Sequence, residues 1–120
     1  MTTELVVAMP LLMLLILMIA QFAVWAHATH IAQAAAAQGL AAARVDGGTA
    51  GAGARETRLV LGQLGRGPLE DARVEVTRNE QEATVSVTGT ASSVVPFLRL
   101  RVHAEAAGPA EVFQTPAGNP

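Results

Sequence analysis

The sequence predicts an α+β chain: a long N-terminal transmembrane helix extended beyond the bilayer, a short second helix and a small three-stranded antiparallel sheet. Three observations carry this expectation. The run LVVAMPLLMLLILMIAQFAVWA, Leu5 to Ala26, contains no charged residue. From His27 to Arg44 alanine dominates and proline is absent. Beyond Pro68 the apolar pattern changes from helical spacing to strict alternation. The chain accordingly divides into a transmembrane and alanine-rich helix over 1–46, a glycine-rich linker over 47–53, a small α+β domain over 54–107 and a flexible tail over 108–120.

As a helix the apolar run covers about 33 Å, slightly more than a hydrocarbon core of about 30 Å. A soluble core helix would show a polar face at helical spacing, and no polar residue interrupts the run before Gln21. Trp25 stands near the far end, where an amphipathic ring suits the membrane interface. The rival reading is a cleaved secretory signal, supported by Ala26-His27-Ala28. Against it, the apolar run exceeds the usual h-region of about 7–15 residues, and no basic n-region precedes it. Pro10 removes one backbone hydrogen bond and crowds the carbonyl of residue 6, so a kink or a loosened first turn is expected there. Glu4 is the only acidic residue before Asp46 and stands at the edge of the run. A carboxylate drawn into hydrocarbon must snorkel, protonate or meet a cation. The alternative is a solvated carboxylate at a helix N-terminus, where the dipole favours negative charge.

Past the span, Ala32, Ala35, Ala36, Gly39, Ala42 and Ala43 recur at spacings of three and four, giving a helix face without bulky side chains. Such a face admits another helix at close range, as small residues do in membrane helix packing. Equally, it packs on the chain's own domain; the pattern is the same in both cases. Asp46-Gly47-Gly48 ends the helix. Residues 54–64 read as a short amphipathic helix with Leu59, Val60 and Leu64 available for burial. Val74 and Val76, Val85 and Val87, and Leu98, Leu100 and Val102 then alternate with polar residues in three half-buried strands. Arg78-Asn79-Glu80-Gln81 supplies the first turn, and Val95-Pro96-Phe97 interrupts pairing before the third strand. Arg99 and Arg101 fall on the polar face of that strand, as a solvated surface or a contact for an acidic partner.

Composition excludes several function classes. A net charge of −2 with one tryptophan, three phenylalanines and no tyrosine offers neither a basic groove nor stacking platforms, so nucleic acid is not an expected partner. His27 and His30 share a helix face, but only His103 remains as a third imidazole, which argues against a metal site. No strand precedes the glycines at 47–53 and no Gly-Lys-Ser/Thr follows, so a nucleotide loop is not expected. Cysteine is absent, the serines are Ser86, Ser92 and Ser93, and no nucleophile–histidine–acid pattern is recognisable. The expectation is a non-enzyme without cofactor. A soluble part of about 70 residues with no disulfide or metal staple has a thin core and leans on partners.

The N-terminus also carries a family resemblance. Thr3-Glu4-Leu5-Val6-Val7-Ala8-Met9-Pro10-Leu11-Leu12 resembles the start of TadE-like proteins, minor pseudopilins of tight-adherence (Flp-type) pilus systems. The shared pattern is a short polar stretch, a glutamate, a few apolar residues, a proline and a leucine-rich span. Gln21-Phe22 and the stretch AQAAAAQGLAAAR, Ala32 to Arg44, are similar to the family's alanine-rich helix ending near an arginine. The resemblance covers about the first 45 residues. It implies a membrane-anchored structural or assembly subunit of a bacterial pilus, oriented N-in and C-out. The implied partners are the lipid bilayer and other pilin-like or pilus-assembly subunits, in homo- or hetero-oligomers. Glu4, Pro10, Ala32, Ala35, Ala36 and Gly39 would be the assembly contacts. In pilin-like chains a basic leader is removed after a glycine, and a glutamate fifth in the processed chain pairs with a neighbour's N-terminal amine. Here no glycine or arginine precedes Glu4, which is fourth from Met1. The alternative is a single-pass accessory or binding subunit of another cell-envelope complex, to which Glu4 is incidental.

Overall fold

A computed structural model describes residues 2–45, 47–64 and 66–110. The uninterrupted run of helix formers gives one long helix, α1 (Thr2–Arg44), which continues through Pro10. Its 43 residues correspond to about 64 Å at 1.5 Å per residue. Residues 2–16 are all exposed, and burial first becomes complete at Gln21. The N-terminal half of α1 is therefore a bare apolar arm, and the molecule measures 86 × 24 × 18 Å. This arm is long and apolar enough to cross a membrane, with a mean hydropathy of 2.6 over its best window.

The second half of α1 is the spine of a small domain. A turn through Gly47, at φ +80°, leads into α2 (Ala50–Leu64). Thr49 caps α2: its Oγ1 accepts from the Ala52 amide at 2.9 Å, meeting one of the orphan donors of the first turn. Three strands follow as an antiparallel meander in the order β1 (Leu69–Arg78), β2 (Glu82–Ala91) and β3 (Arg101–Pro109). Val76 pairs with Val85 and Val87 with Ala104, so one face collects Val74, Val76, Val85, Val87, Val102, Ala104 and Ala106. That face packs on Ala28, Ile31, Ala32, Ala35 and Ala36 of α1 and on Val60 and Leu61 of α2. The opposite face is polar, with Arg73, Glu75 and Thr77, Thr84, Ser86 and Thr88, and His103 and Glu105.

Two local features shape the sheet. Between Glu70↔Thr90 and Arg73↔Thr88 the first strand carries one extra residue, and Asp71 takes a left-handed φ of +53° in that bulge. At the hairpin, Asn79 Oδ1 accepts from the amides of Gln81 and Glu82 at 2.8 and 2.7 Å, closing the turn where the sequence predicts it.

The α+β architecture with one long apolar helix, a short second helix and three antiparallel strands is the one expected from the sequence. Element boundaries differ in three places. The linker is shorter than 47–53, because the Thr49 cap lets Ala50 to Gly53 form the first turn of α2. Within α2 the buried pair is Val60 and Leu61, while Leu59 and Leu64 are exposed. The third strand pairs from Arg101 rather than from Leu98. It extends through Gly108 and Pro109, two residues past the domain end the sequence predicts. A turn with Phe97 at φ +70°, closed by the Leu98 amide on the Val95 carbonyl, takes up Leu98, while the Leu100 carbonyl already accepts from the Ala91 amide at 2.9 Å just ahead of the ladder. The remainder of the expected tail, 111–120, lies outside the described residues.

Candidate assembly and membrane interface

Glu4 lies in the first turn of α1, exposed, at the outer end of the bare arm. Pro10 is exposed six residues further along. Between them and Gln21 the arm presents Leu5, Val6, Val7, Met9, Leu11, Leu12, Met13, Leu14, Leu15, Ile16, Met18 and Ile19, each about half exposed or more. In water such a surface would far exceed the apolar patch a soluble monomer carries.

The small-residue face has a different fate. Ala32, Ala35 and Ala36 are fully buried within the chain, and Gly39 is buried beside them. Of the two open readings of this stripe, the structure realises packing on the chain's own domain. A Cβ built on Gly39 would lie 1.8 Å from Thr57 Oγ1 and 2.9 Å from the Gly53 carbonyl oxygen. One built on Gly53 would lie 2.8 Å from Ala43 Cβ and 3.1 Å from Val76 Cγ1. The two glycines mark a close approach of α1 and α2, and Thr57 Oγ1 donates to the Gly53 carbonyl at 2.7 Å in the same place. Close backbone approach is what the stripe provides, as expected; the covering surface is α2 and the sheet of the same chain. Glu4, Pro10 and the arm are left uncovered by the chain's own domain.

Sequence reasoning missed Gln21. It is 1% exposed, and its amide makes three hydrogen bonds to the β2–β3 loop. Nε2 donates to the Ser92 carbonyl at 3.1 Å, while Oε1 accepts from the Val94 and Val95 amides at 2.6 and 3.0 Å. The signal was available: a lone amide in an otherwise unbroken apolar run needs partners, because an unpaired polar group is costly there.

From Gln21 outward, α1 is fastened to the edge of β3 by side chains donating to its carbonyls. Trp25 Nε1 reaches the Arg101 oxygen at 3.0 Å, Gln33 Nε2 that of Glu105 at 3.2 Å, and Arg44 Nε that of Pro109 at 2.9 Å. From residue 25 to 44 a helix rises about 28 Å, and from 101 to 109 a strand rises about 27 Å. The matched rises mean that β3 runs alongside α1 in the same direction, with its Arg101 end nearest the arm. At the other end Arg78 closes the helix, its Nε donating to the Ala43 carbonyl at 2.5 Å and its Nη2 to that of Val45 at 3.3 Å.

His27 and His30 are exposed on α1, and His103 sits on the polar sheet face, 3.7 Å from the Glu105 carboxylate. Arg99 is ion-paired with Asp71 at 3.6 Å, both largely exposed.

Comparison with known families finds a match over residues 1–40 to the model described as TadE-like protein. Over these residues the chain is similar to TadE-like proteins. The match holds Glu4, Pro10, the whole bare arm, Gln21 and the stripe up to Gly39. Comparison with curated proteins and with solved structures gives no match. The matched segment forms a helix long and apolar enough to cross a membrane, followed by the C-terminal domain.

Proposed function

We propose that the protein is a minor pseudopilin, a non-catalytic, single-pass structural or assembly subunit of a tight-adherence pilus. Its arm crosses the cytoplasmic membrane with the domain outside and packs laterally against other pilin-like subunits. The observation that carries this reading is the bare apolar arm headed by Glu4 within the TadE-like match. An arm of this kind is stable in lipid and equally stable among other apolar helices, so it can pass from bilayer to bundle without exposing apolar surface to water. Glu4 gives that packing a register. A carboxylate held among apolar helices is strongly favoured to meet a cation, and its pairing fixes the axial position of one helix on the next.

The test is Glu4→Ala in cells that build the pilus. The variant is expected to fractionate with membranes in normal amount and to fail in filament incorporation or support. Unchanged piliation would remove the pilin reading and leave an anchored accessory subunit of another envelope complex.

A further inference from the structure

We infer that the β2–β3 loop is a second membrane contact, in which the tip Val94-Val95-Pro96-Phe97 dips into the lipid interface beside α1. The inference rests on the reading of the arm as a membrane span, and it adds a lipid-binding surface on the domain itself.

Position comes first. The loop backbone is bonded at Ser92, Val94 and Val95 to Gln21, a residue inside the apolar run and one helical turn before Trp25. The uncharged run from Leu5 to Ala20 covers about 24 Å of a hydrocarbon core of about 30 Å. Gln21 therefore lies toward the outer end of the Leu5–Ala26 span, and the loop lies at that level.

The chemistry of the tip is the second observation. Phe97 is fully exposed, at 103% relative accessibility, and Val94 is exposed as well. The Leu98 amide donates to the Val95 carbonyl at 3.2 Å, with Pro96 second and Phe97 third at φ +70°. That is the arrangement of a type II turn, whose third position favours glycine. A bulky residue there is strained, and a bare ring in water is unfavourable. Lipid relieves the second cost. The tip is also rigid, since Ser93 Oγ donates to the Leu98 carbonyl at 2.8 Å and Ser92 Oγ to that of Gly67. A preformed apolar tip loses little freedom when it inserts.

Charge is the third. Arg73, Arg99 and Arg101 line one open concavity with Asp71 on the polar sheet face, at the end of β3 nearest the arm. Guanidinium groups at that height are placed for the phosphates of lipid headgroups. The far end of the sheet carries Glu80 and Glu82 beside Arg78 and Arg44, whose guanidinium groups are turned onto backbone carbonyls of Ala43, Val45 and Pro109.

Because the chain has no cysteine, single-cysteine variants Phe97→Cys, Thr77→Cys and Leu14→Cys can each carry an environment-sensitive fluorophore on the full-length protein. The labelled proteins are reconstituted in phosphatidylcholine–phosphatidylglycerol vesicles containing lipids with a nitroxide near the glycerol or near the bilayer centre. The expected result is a blue-shifted emission at position 97 that is lost to the shallow quencher, an unquenched probe at 77, and a probe at 14 lost to the deep quencher. A probe at 97 that resists both quenchers, as at 77, while that at 14 is quenched, overturns the loop proposal and spares the span. Blue-shifted but unquenched emission at 97 would mean that a second copy of the chain covers the tip, which also overturns it. Absence of quenching at 14 would overturn the span and the loop contact together.

Discussion

Replacing Gly39 by alanine tests whether α1 and α2 depend on close backbone approach. The added methyl would stand 1.8 Å from Thr57 Oγ1, 3.1 Å from Thr57 Cβ and 2.9 Å from the Gly53 carbonyl oxygen. The hydroxyl cannot simply swing aside, because Thr57 is fully buried and bonded to the Gly53 carbonyl. Moving it forfeits a hydrogen bond worth about 1 kcal/mol. The remaining contacts involve backbone and Cβ, so the helices must separate, at an overpacking cost of about 1–3 kcal/mol. Against this, alanine favours the helix over glycine by about 1 kcal/mol. The net expectation is a loss of about 2 kcal/mol, or a fall of roughly 8–16 °C in the thermal midpoint of a domain this size. Circular dichroism of the full chain in detergent micelles would read it. Thr57→Ala in the Gly39→Ala background should recover part of the loss, since it removes the nearest atom and leaves the 2.9 and 3.1 Å contacts. A Gly39→Ala protein as stable as the parent, or more stable by the propensity term alone, would refute the packing argument.

Other sites give sharp expectations. Gln21→Leu leaves the Ser92 carbonyl and the Val94 and Val95 amides without their partners. Water can reach part of this site, so a loss of about 2 kcal/mol is expected, with faster hydrogen exchange at those two amides. Gln21→Glu keeps both acceptor contacts and should lose less. Arg78→Ala removes the donors on the Ala43 and Val45 carbonyls and should lower the thermal midpoint by the equivalent of about 1–2 kcal/mol. Thr49→Ala removes the α2 cap and should cost about 1 kcal/mol, read in the same thermal scan.

The parts of the fold that follow from periodicity were legible in the sequence. The charge-free run and the alanine stretch give α1, and the alternation about Val74–Val76 and Val85–Val87 gives the first hairpin with its Asn79 turn. The third strand was harder. Its inner positions beyond Val102 are Ala104, Ala106 and Gly108, which alternate correctly but are weak strand formers. The start of α2 was hidden because Ala50 to Gly53 reads as a loop until its Thr49 cap is recognised. The small-residue stripe shows the deeper limit. Ala32, Ala35, Ala36 and Gly39 declare that some surface comes close, yet the spacing is the same whether that surface is a second subunit or the chain's own sheet. Long-range polar pairs were also beyond reach, as Gln21 meets Ser92, Val94 and Val95 over more than 70 residues.

The proposed function rests on one division of labour within α1: the exposed arm is the surface proposed to meet lipid and other subunits, while the stripe is filled from within the chain. Single-cysteine crosslinking in cells tests it directly, comparing Leu11→Cys with Ala35→Cys against cysteines placed in the spans of other pilus subunits. The account predicts crosslinks from position 11 and none from position 35, which should also resist thiol reagents. Crosslinks from position 35 with none from position 11 would contradict it.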